Sequence, residues 1–336
     1  MATAREEFYV QPGALPEVEA AGIRDDLVRR DFTINTLAIE LSSRGWGRLI
    51  DHFGAVADIK AKRIRVLHTF SFVDDPTRIL RALRFSAKFG FNLESQTANL
   101  LKRAILEGRL DDVSPERIRD ELMLSLNEEH PWPILRRICE AGLLGVLQPA
   151  VHITRCIEDE IDPVEQGFEW LRQHMSDDEM PERDAAYLGF LISESPPEDA
   201  HRFVSEFHFE GRILRMAEGL SKLPKAKLSL QNAPQDASTV TEIIESLPES
   251  LWVVLIANTD ENSPEKNALN QYLTDFRWIR PQISGEDLMK EGFVPGRSFG
   301  EALSAVRRAK LDGKLHTLDD EMNFAKDILK LRASQD

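Results

Sequence analysis

Asp75, Arg78, Arg81, Arg84 and Lys88 are the residues whose types and spacing could do chemistry, and they fall in one stretch, Phe72-Val-Asp-Asp-Pro-Thr-Arg-Ile-Leu-Arg-Ala-Leu-Arg-Phe-Ser-Ala-Lys-Phe. Pro76 suits the first position of a helix, with Asp75 before it as cap. The cations then recur at three- and four-residue intervals, so one helical face carries four positive charges, while Ile79, Leu80, Leu83 and Phe85 point elsewhere. Such a face suits a polyanion. Asp75 and Arg78 stand three apart, which sets a two-oxygen acceptor beside a fork of donors. That pair can read a base edge offering an amino group next to a ring acceptor. Cytosine and adenine present this pattern; uracil and guanine present the reverse. An ordinary helix cap and a solvated charged face account for the same spacing.

These residues need a scaffold, and composition bounds it. The 336 residues suggest roughly two or three domains. Hydrophobic content of 42% with 29% charged residues is globular, and no run of 18 apolar residues could span a membrane. The opening Met1-Ala-Thr-Ala-Arg-Glu-Glu lacks the basic and apolar regions of a signal peptide, so a soluble, cytoplasmic protein with no membrane partner is expected. Cys139 and Cys156 are too few for a disulfide framework and read as buried small hydrophobes; the eight histidines form no paired-ligand pattern, so no zinc site is expected. Net charge is −15, which argues against indiscriminate nucleic-acid binding, DNA included. Its distribution is uneven: residues 1–125 hold 19 basic and 19 acidic side chains, and within 58–109 there are 11 basic against 5 acidic. A polyanion site belongs in that basic segment.

Along the chain, residues 1–22 read as irregular, broken by Pro12, Gly13, Pro16 and Gly22. A short helix from Ile23 leads into a β-prone run ending near Leu41. Gly45 and Gly47 bracket Trp46 in a hairpin turn, and a second strand follows to Asp51. Such a hairpin is marginal alone and calls for a larger sheet. Beyond Gly54 the pattern is helical: Asp58 to Lys62, then an extended link from Arg63 to Leu67, then Thr77 to Gly90, Gln96 to Glu107, and Ser114 to about Asn127. Further helices are predicted over 133–148, 163–176, 182–193, 198–208 and 210–222. The polar, proline-containing stretch Leu223 to Asp236 reads as a boundary; helices follow near 238–247, 249–258 and 264–280, and one more ends at about Asp312.

Five ordered blocks then carry a resemblance. Arg29-Arg30-Asp31-Phe32-Thr33-Ile34-Asn35; Leu49-Ile50-Asp51 with Gly54 and Asp58; Arg63-Ile64-Arg65; Asp74-Asp75-Pro76-Thr77-Arg78 through Phe85; and Glu116-Arg117-Ile118 resemble successive motifs of bacterial-type tRNA nucleotidyltransferases and poly(A) polymerases. The segment from Ile283 to Phe293-Val-Pro-Gly resembles the tail of longer members. The resemblance is strong over 23–122 and weak over 130–280. It implies a mainly α chain: part of an α/β nucleotidyltransferase head (1–57), then an all-helical neck (58–130), body (131–230) and tail (231–336). It implies that Arg29, Arg30 and Asp31, with Asn35, face the ribose and phosphates of a nucleotide. Asp75 and Arg78 would read the base, Arg81 and Arg84 would lie toward the triphosphate, and Glu116 and Arg117 would brace the neck, although that last block also suits a plain helix start. Asp51 and Asp58 equally suit a hairpin and a cap.

The implied activity is transfer of a nucleotide from CTP or ATP to the 3′ end of tRNA or another RNA, CCA-, CC- or A-adding or poly(A)-making. Members of the family begin with a Gly-Gly-rich strand and turn, then two carboxylates one residue apart that hold Mg2+. No such Asp-x-Asp occurs here; Asp25 and Asp26 are adjacent and on a helix would diverge. Hence no catalytic or metal-ligating residue is assigned in this chain, and the expected role is recognition of nucleotide and RNA. The carboxylates would come from an amino-terminal part or a second chain. A non-catalytic tRNA- or nucleotide-binding module is the alternative.

Overall fold

Short ladders followed by a long run of helices make up the computed structural model, which describes residues 5–8, 17–20, 22–143, 161–232, 236–257 and 259–333. The chain is mainly α, as the periodicity predicts. It divides into two units, Met1–Asp162 with Leu191–Leu214, and Pro163–Phe190 with Arg215–Asp336.

The first unit begins with strands β1 (Arg5–Phe8) and β2 (Glu17–Ala20), antiparallel with Arg5 opposite Ala20. Residues 1–22 are therefore not irregular throughout, contrary to the expectation from their breakers. Arg-Glu-Glu-Phe and Glu-Val-Glu-Ala carry glutamates of low strand propensity, and backbone pairing overrides that preference. Helix α1 (Ile23–Val28) and a 3-10 turn at Thr33–Asn35 follow. The predicted hairpin is present: β3 (Ala38–Ile39) pairs antiparallel with β4 (Leu49–Ile50).

Asp51 accepts backbone N–H bonds from Gly54, Ala55 and Val56 at 2.8–3.0 Å and so starts α2 (Ala55–Lys60). Within α2, Asp58 is 1% exposed and accepts from Thr33 Oγ1 at 2.7 Å and Arg65 Nε at 2.8 Å. Three short elements are thereby tied together, since Arg63 also pairs with it at 3.2 Å. Strand β5 (Arg63–Ile64) runs parallel to β6 (Asn92–Leu93).

Between those strands lie α3 (Ser71–Asp74) and α4 (Arg78–Phe89). The latter starts at Arg78, two residues later than Pro76 would place it and one later than the predicted Thr77; Asp75 closes α3, and its carboxylate accepts from Thr77 N and Oγ1 just ahead of α4. It stops at Gly90, whose φ of +62° a side chain would strain. The apolar face of α4 is buried: Ile79, Leu80 and Ala82 have no exposure, and the helix packs on α6 (Pro115–Leu126) and α7 (Pro131–Glu140), where Leu126, Leu135 and Ile138 are equally closed. Between them runs α5 (Ser95–Leu106), tied back when Thr97 Oγ1 accepts from Val66 N at 3.2 Å. Cys139 is buried as expected; Cys156 and the end of the helix predicted over 133–148 lie outside the described residues.

In the second unit, α8 (Pro163–Arg172) lies against α14 (Glu249–Ile256); a Cβ on Gly167 would sit 2.9 Å from Val253 Cγ1, so only glycine lets the two approach this closely. Helix α10 (Pro197–Glu206) belongs to the first unit, and α9 (Arg183–Ile192) and α11 (Arg212–Leu220) run across the division; α12 (Leu223–Gln231), α13 (Ala237–Glu245) and α15 (Pro264–Thr274) belong to the second. Helix α12 corrects the reading of Leu223 to Asp236 as a boundary. Pro224 stands in its first turn, where the missing N–H costs nothing, and Leu223, Ala226 and Leu230 are buried. The last core packs α16 (Gly285–Lys290), α17 (Arg297–Leu311) and α18 (Leu318–Ala333) around Leu288, Ala302, Val306 and Ala325. Helix α18 has no counterpart in the sequence prediction, which stops at Asp312. No described helix is long and apolar enough to cross a membrane.

Candidate functional site

Seven of the eight residues implicated by the sequence line one cleft of about 440 Å3 in the first unit: Arg29, Arg30, Asp31, Asn35, Asp75, Arg78 and Arg81. Residues nearly fifty apart meet there because the end of α1 and the following 3-10 turn lie against the start of α4. Arg78 Nη2 donates to the carbonyl of Arg29 at 2.9 Å, and Arg81 reaches Asp31. Four guanidiniums face two carboxylates, so the cleft is net positive inside an acidic protein.

Local pairs orient each wall. Asp26, 8% exposed, takes Arg29 at 2.8 Å and Arg30 at 3.4 Å, holding both arginines at the end of α1. Asp31, also 8% exposed, accepts from Phe32 N (2.9 Å), Asn35 Nδ2 (2.6 Å) and Arg81 (Nη2 at 2.6 Å). Burial pushes the Asp31 pKa up, but Arg81 and these hydrogen bonds outweigh it and hold it below the usual carboxylate value. Burial likewise opposes the charge on Arg81, and Asp31 and Glu121 together raise its pKa further.

Asp75 and Arg78 are set in place by other groups. Among the described residues three donors to Asp75 converge on Oδ1: Thr77 N at 3.1 Å, Thr77 Oγ1 at 2.7 Å and Arg117 Nη2 at 2.9 Å. Arg78 is 4% exposed and gives Nη1 to Ser71 Oγ at 2.8 Å.

The cationic stripe of α4 is not a solvated face. Arg84 is 7% exposed, lies outside the cleft, and meets Glu121 and Glu128, each at 3.2 Å. Lys88 meets Glu128 at 2.6 Å, and Glu121 also takes Arg81 at 2.8 Å. Facing acids on and after α6 neutralise the lower stripe, leaving its first two arginines to the cleft. Of the Glu116-Arg117 pair, Arg117 reaches Asp75, whereas Glu116 pairs with His208 Nδ1 at 2.7 Å away from it.

Sequence reasoning missed Asp26, Ser71, Glu121 and Glu128. Asp26 stands three and four before Arg29 and Arg30, which is a legible helical pairing. The other three depend on tertiary packing and left no local signal. Among the described residues, no group of three or more His, Cys, Asp or Glu could hold a metal ion. Asp25 and Asp26 do diverge, Asp25 bonding to Gly22 N at 3.2 Å while Asp26 takes the arginines.

Two family models match the chain. "Poly A polymerase head domain" covers residues 1–65, and "Probable RNA and SrmB- binding site of polymerase A" covers 90–153. The order defines a class: a nucleotidyltransferase head followed by an RNA-binding segment. An A-adding tRNA nucleotidyltransferase of Geobacter sulfurreducens is 35% identical over 331 residues, covering 97% of this chain and 37% of that protein. A CCA-adding enzyme solved in an apo form matches with a TM-score of 0.79 at 30% identity, over 99% of this chain and 76% of that one. A Thermotoga maritima CCA-adding enzyme solved in complex with tRNA matches at 0.73 and 29% identity, over 98% and 78%. The chain belongs to the tRNA nucleotidyltransferase and poly(A) polymerase family. It spans about a third of the length of the Geobacter relative.

Proposed function

We propose that this chain is the nucleotide-reading and RNA-binding part of a tRNA 3′-end nucleotidyltransferase, which transfers a nucleotide from CTP or ATP to an RNA 3′-hydroxyl in the cytoplasm. The observation that carries it is the convergence of Arg29, Arg30, Asp31, Asn35, Asp75, Arg78 and Arg81 on one positive cleft. Residues 1–57 would serve as part of the head, 58–130 as the neck, 131–230 as the body and 231–336 as the tail.

In this reading Asp75 accepts an amino hydrogen of cytosine or adenine while Arg78 donates to the adjacent ring acceptor. Uracil and guanine would set carbonyl against carboxylate and a ring N–H against a cation, leaving groups unpaired. Arg29, Arg30 and Arg81 would take the phosphates, with Asp31 and Asn35 toward the ribose. The reaction is in-line attack of the 3′-hydroxyl on the α-phosphate, with pyrophosphate leaving. Mg2+ is the ion proposed to neutralise the developing charge. The described residues do not form a ligand set for it, so this chain's share is binding and orienting the nucleotide.

The test is nucleotide addition to tRNA lacking its 3′ CCA, using residues 1–336 with Mg2+, CTP and ATP, alongside nucleotide binding. Binding of CTP and ATP in preference to UTP and GTP is the expected result. Extension on the gel would add catalysis to this chain and identify the bases added. Equal affinity for all four nucleotides would sink the reading.

A further inference from the structure

Residues beyond the pair proposed to read the base hold its two side chains in place. Asp75 accepts three hydrogen bonds on Oδ1, and Oδ2 accepts none among the described residues. Arg78 commits Nη1 to Ser71 Oγ and Nη2 to the Arg29 carbonyl, so among the described residues two of its five N–H groups are spent and three remain. Ser71 has no solvent exposure, so its hydroxyl has no water to fall back on.

We propose that Ser71 and Arg117 are positioning residues that set base selectivity: Arg117 pins Asp75 so that Oδ2 alone faces the base, and Ser71 fixes the plane of the Arg78 guanidinium beside it. This rests on the reading of Asp75 and Arg78 as the base-recognising pair.

The physical reason is rotational. An aspartate turns freely about its last torsion, and an arginine has four soft torsions, so an unheld pair presents many donor and acceptor patterns. Discrimination between cytosine and uracil needs one pattern, because it arises when the wrong base leaves buried groups unpaired. The two anchors come from different elements, α3 and α6, so they fix two rotations independently. The Arg29 carbonyl adds a third point, which also couples the plane of Arg78 to the phosphate-facing arginines.

The experiment measures equilibrium affinities of residues 1–336 for CTP, UTP, ATP and GTP, for the unaltered chain and for Ser71→Ala, Arg117→Gln, Arg117→Lys and Asp75→Asn. Circular dichroism confirms that each variant is folded. Ser71→Ala and Arg117→Gln should each lower CTP and ATP affinity by about tenfold, the loss of one charge-assisted hydrogen bond, and leave UTP and GTP nearly unchanged, so that the CTP/UTP ratio collapses. Arg117→Lys, which keeps one donor, should recover part of that ratio. A general loss of packing would weaken all four nucleotides alike and leave the ratio intact; that outcome in both Ser71→Ala and Arg117→Gln overturns the proposal. If Asp75→Asn abolishes selectivity while those two variants keep it, base reading stands and positioning falls. If Asp75→Asn leaves selectivity unchanged, the base-reading assignment falls and takes this inference with it.

Discussion

Arg81 holds Asp31 through one oxygen, donating both Nε (2.8 Å) and Nη2 (2.6 Å) to Oδ2, across a separation of 50 residues. Asp31 Oδ1 is left to Phe32 N and Asn35, so one carboxylate joins the turn after α1 to the cationic face of α4. Asp31→Asn should lower stability by about 1–3 kcal/mol, since Arg81 keeps Glu121 but loses its charged partner here. Urea unfolding measures this.

Acid should act through the same pair. Asp31, Asp51 and Glu128 all have folded pKa values below their ordinary ones; at Asp31 and Glu128 burial works the other way and the partner charges prevail, while at Asp51 backbone N–H bonds do. Carboxylates depressed by folding contribute stability above their unfolded values, 3.8 for Asp and 4.5 for Glu, and lose it as pH falls through the folded ones. Thermal unfolding should therefore be nearly pH-independent from 7 to roughly 5 on these groups, then fall steeply below about 4. A midpoint that rose on acidification would contradict the pairing.

Arg78→Ala should weaken CTP and ATP binding by about tenfold or more, and Arg78→Lys should weaken it too, because lysine lacks the planar fork. Arg84→Met makes the contrast. Arg84 is buried outside the cleft against Glu121 and Glu128, so its loss should cost about 2–4 kcal/mol of stability and change nucleotide affinity less than about twofold. Titration of both variants with CTP separates the two roles.

Gly167→Ala is expected to destabilise the second unit by about 1–3 kcal/mol, since the new methyl would press on Val253 Cγ1 at 2.9 Å and its carbonyl at 3.3 Å. Nucleotide affinity should be unaltered, and differential scanning calorimetry would register the drop.

Tyr272 offers an alkaline reporter. Burial, with Glu245 beside its hydroxyl at 3.2 Å, pushes its pKa up to about 12 from 10.0. Folding thus favours the protonated phenol: this contribution is complete below pH 10 and is lost as pH climbs toward 12. Absorbance at phenolate wavelengths should show a late-titrating step, and Tyr272→Phe should reduce it by one tyrosine.

The sequence disclosed the helical class, the hairpin and the stop at Gly90, because those follow from local periodicity and turn chemistry. It also disclosed the residues of the cleft, since their spacing and order repeat a family pattern. It disclosed the helix over Thr77 to Gly90 to within a residue of its observed start at Arg78, but not that Asp75 would be held by Arg117, 42 residues away. Nor did it show that the arginine stripe divides. Arg78 and Arg81 look like Arg84 and Lys88 in one dimension, and only the placement of Glu121 and Glu128 tells them apart. Strands β1 and β2 were illegible for a different reason: their pairing is of backbone to backbone, which glutamate-rich side chains do not advertise.

The sharing of Arg81 between Asp31 and Glu121 sets a threshold on what can enter the cleft. A guanidinium already gripped by two carboxylates gains little from a singly charged visitor, which would replace one contact with a weaker one. Under the proposed reading, a chain of phosphates would bring enough charge to compete with both carboxylates at once and would meet Arg29 and Arg30 in the same step. Chloride, bicarbonate and other small anions would compete poorly for the cleft, leaving it to ligands that bring several negative charges on a single backbone.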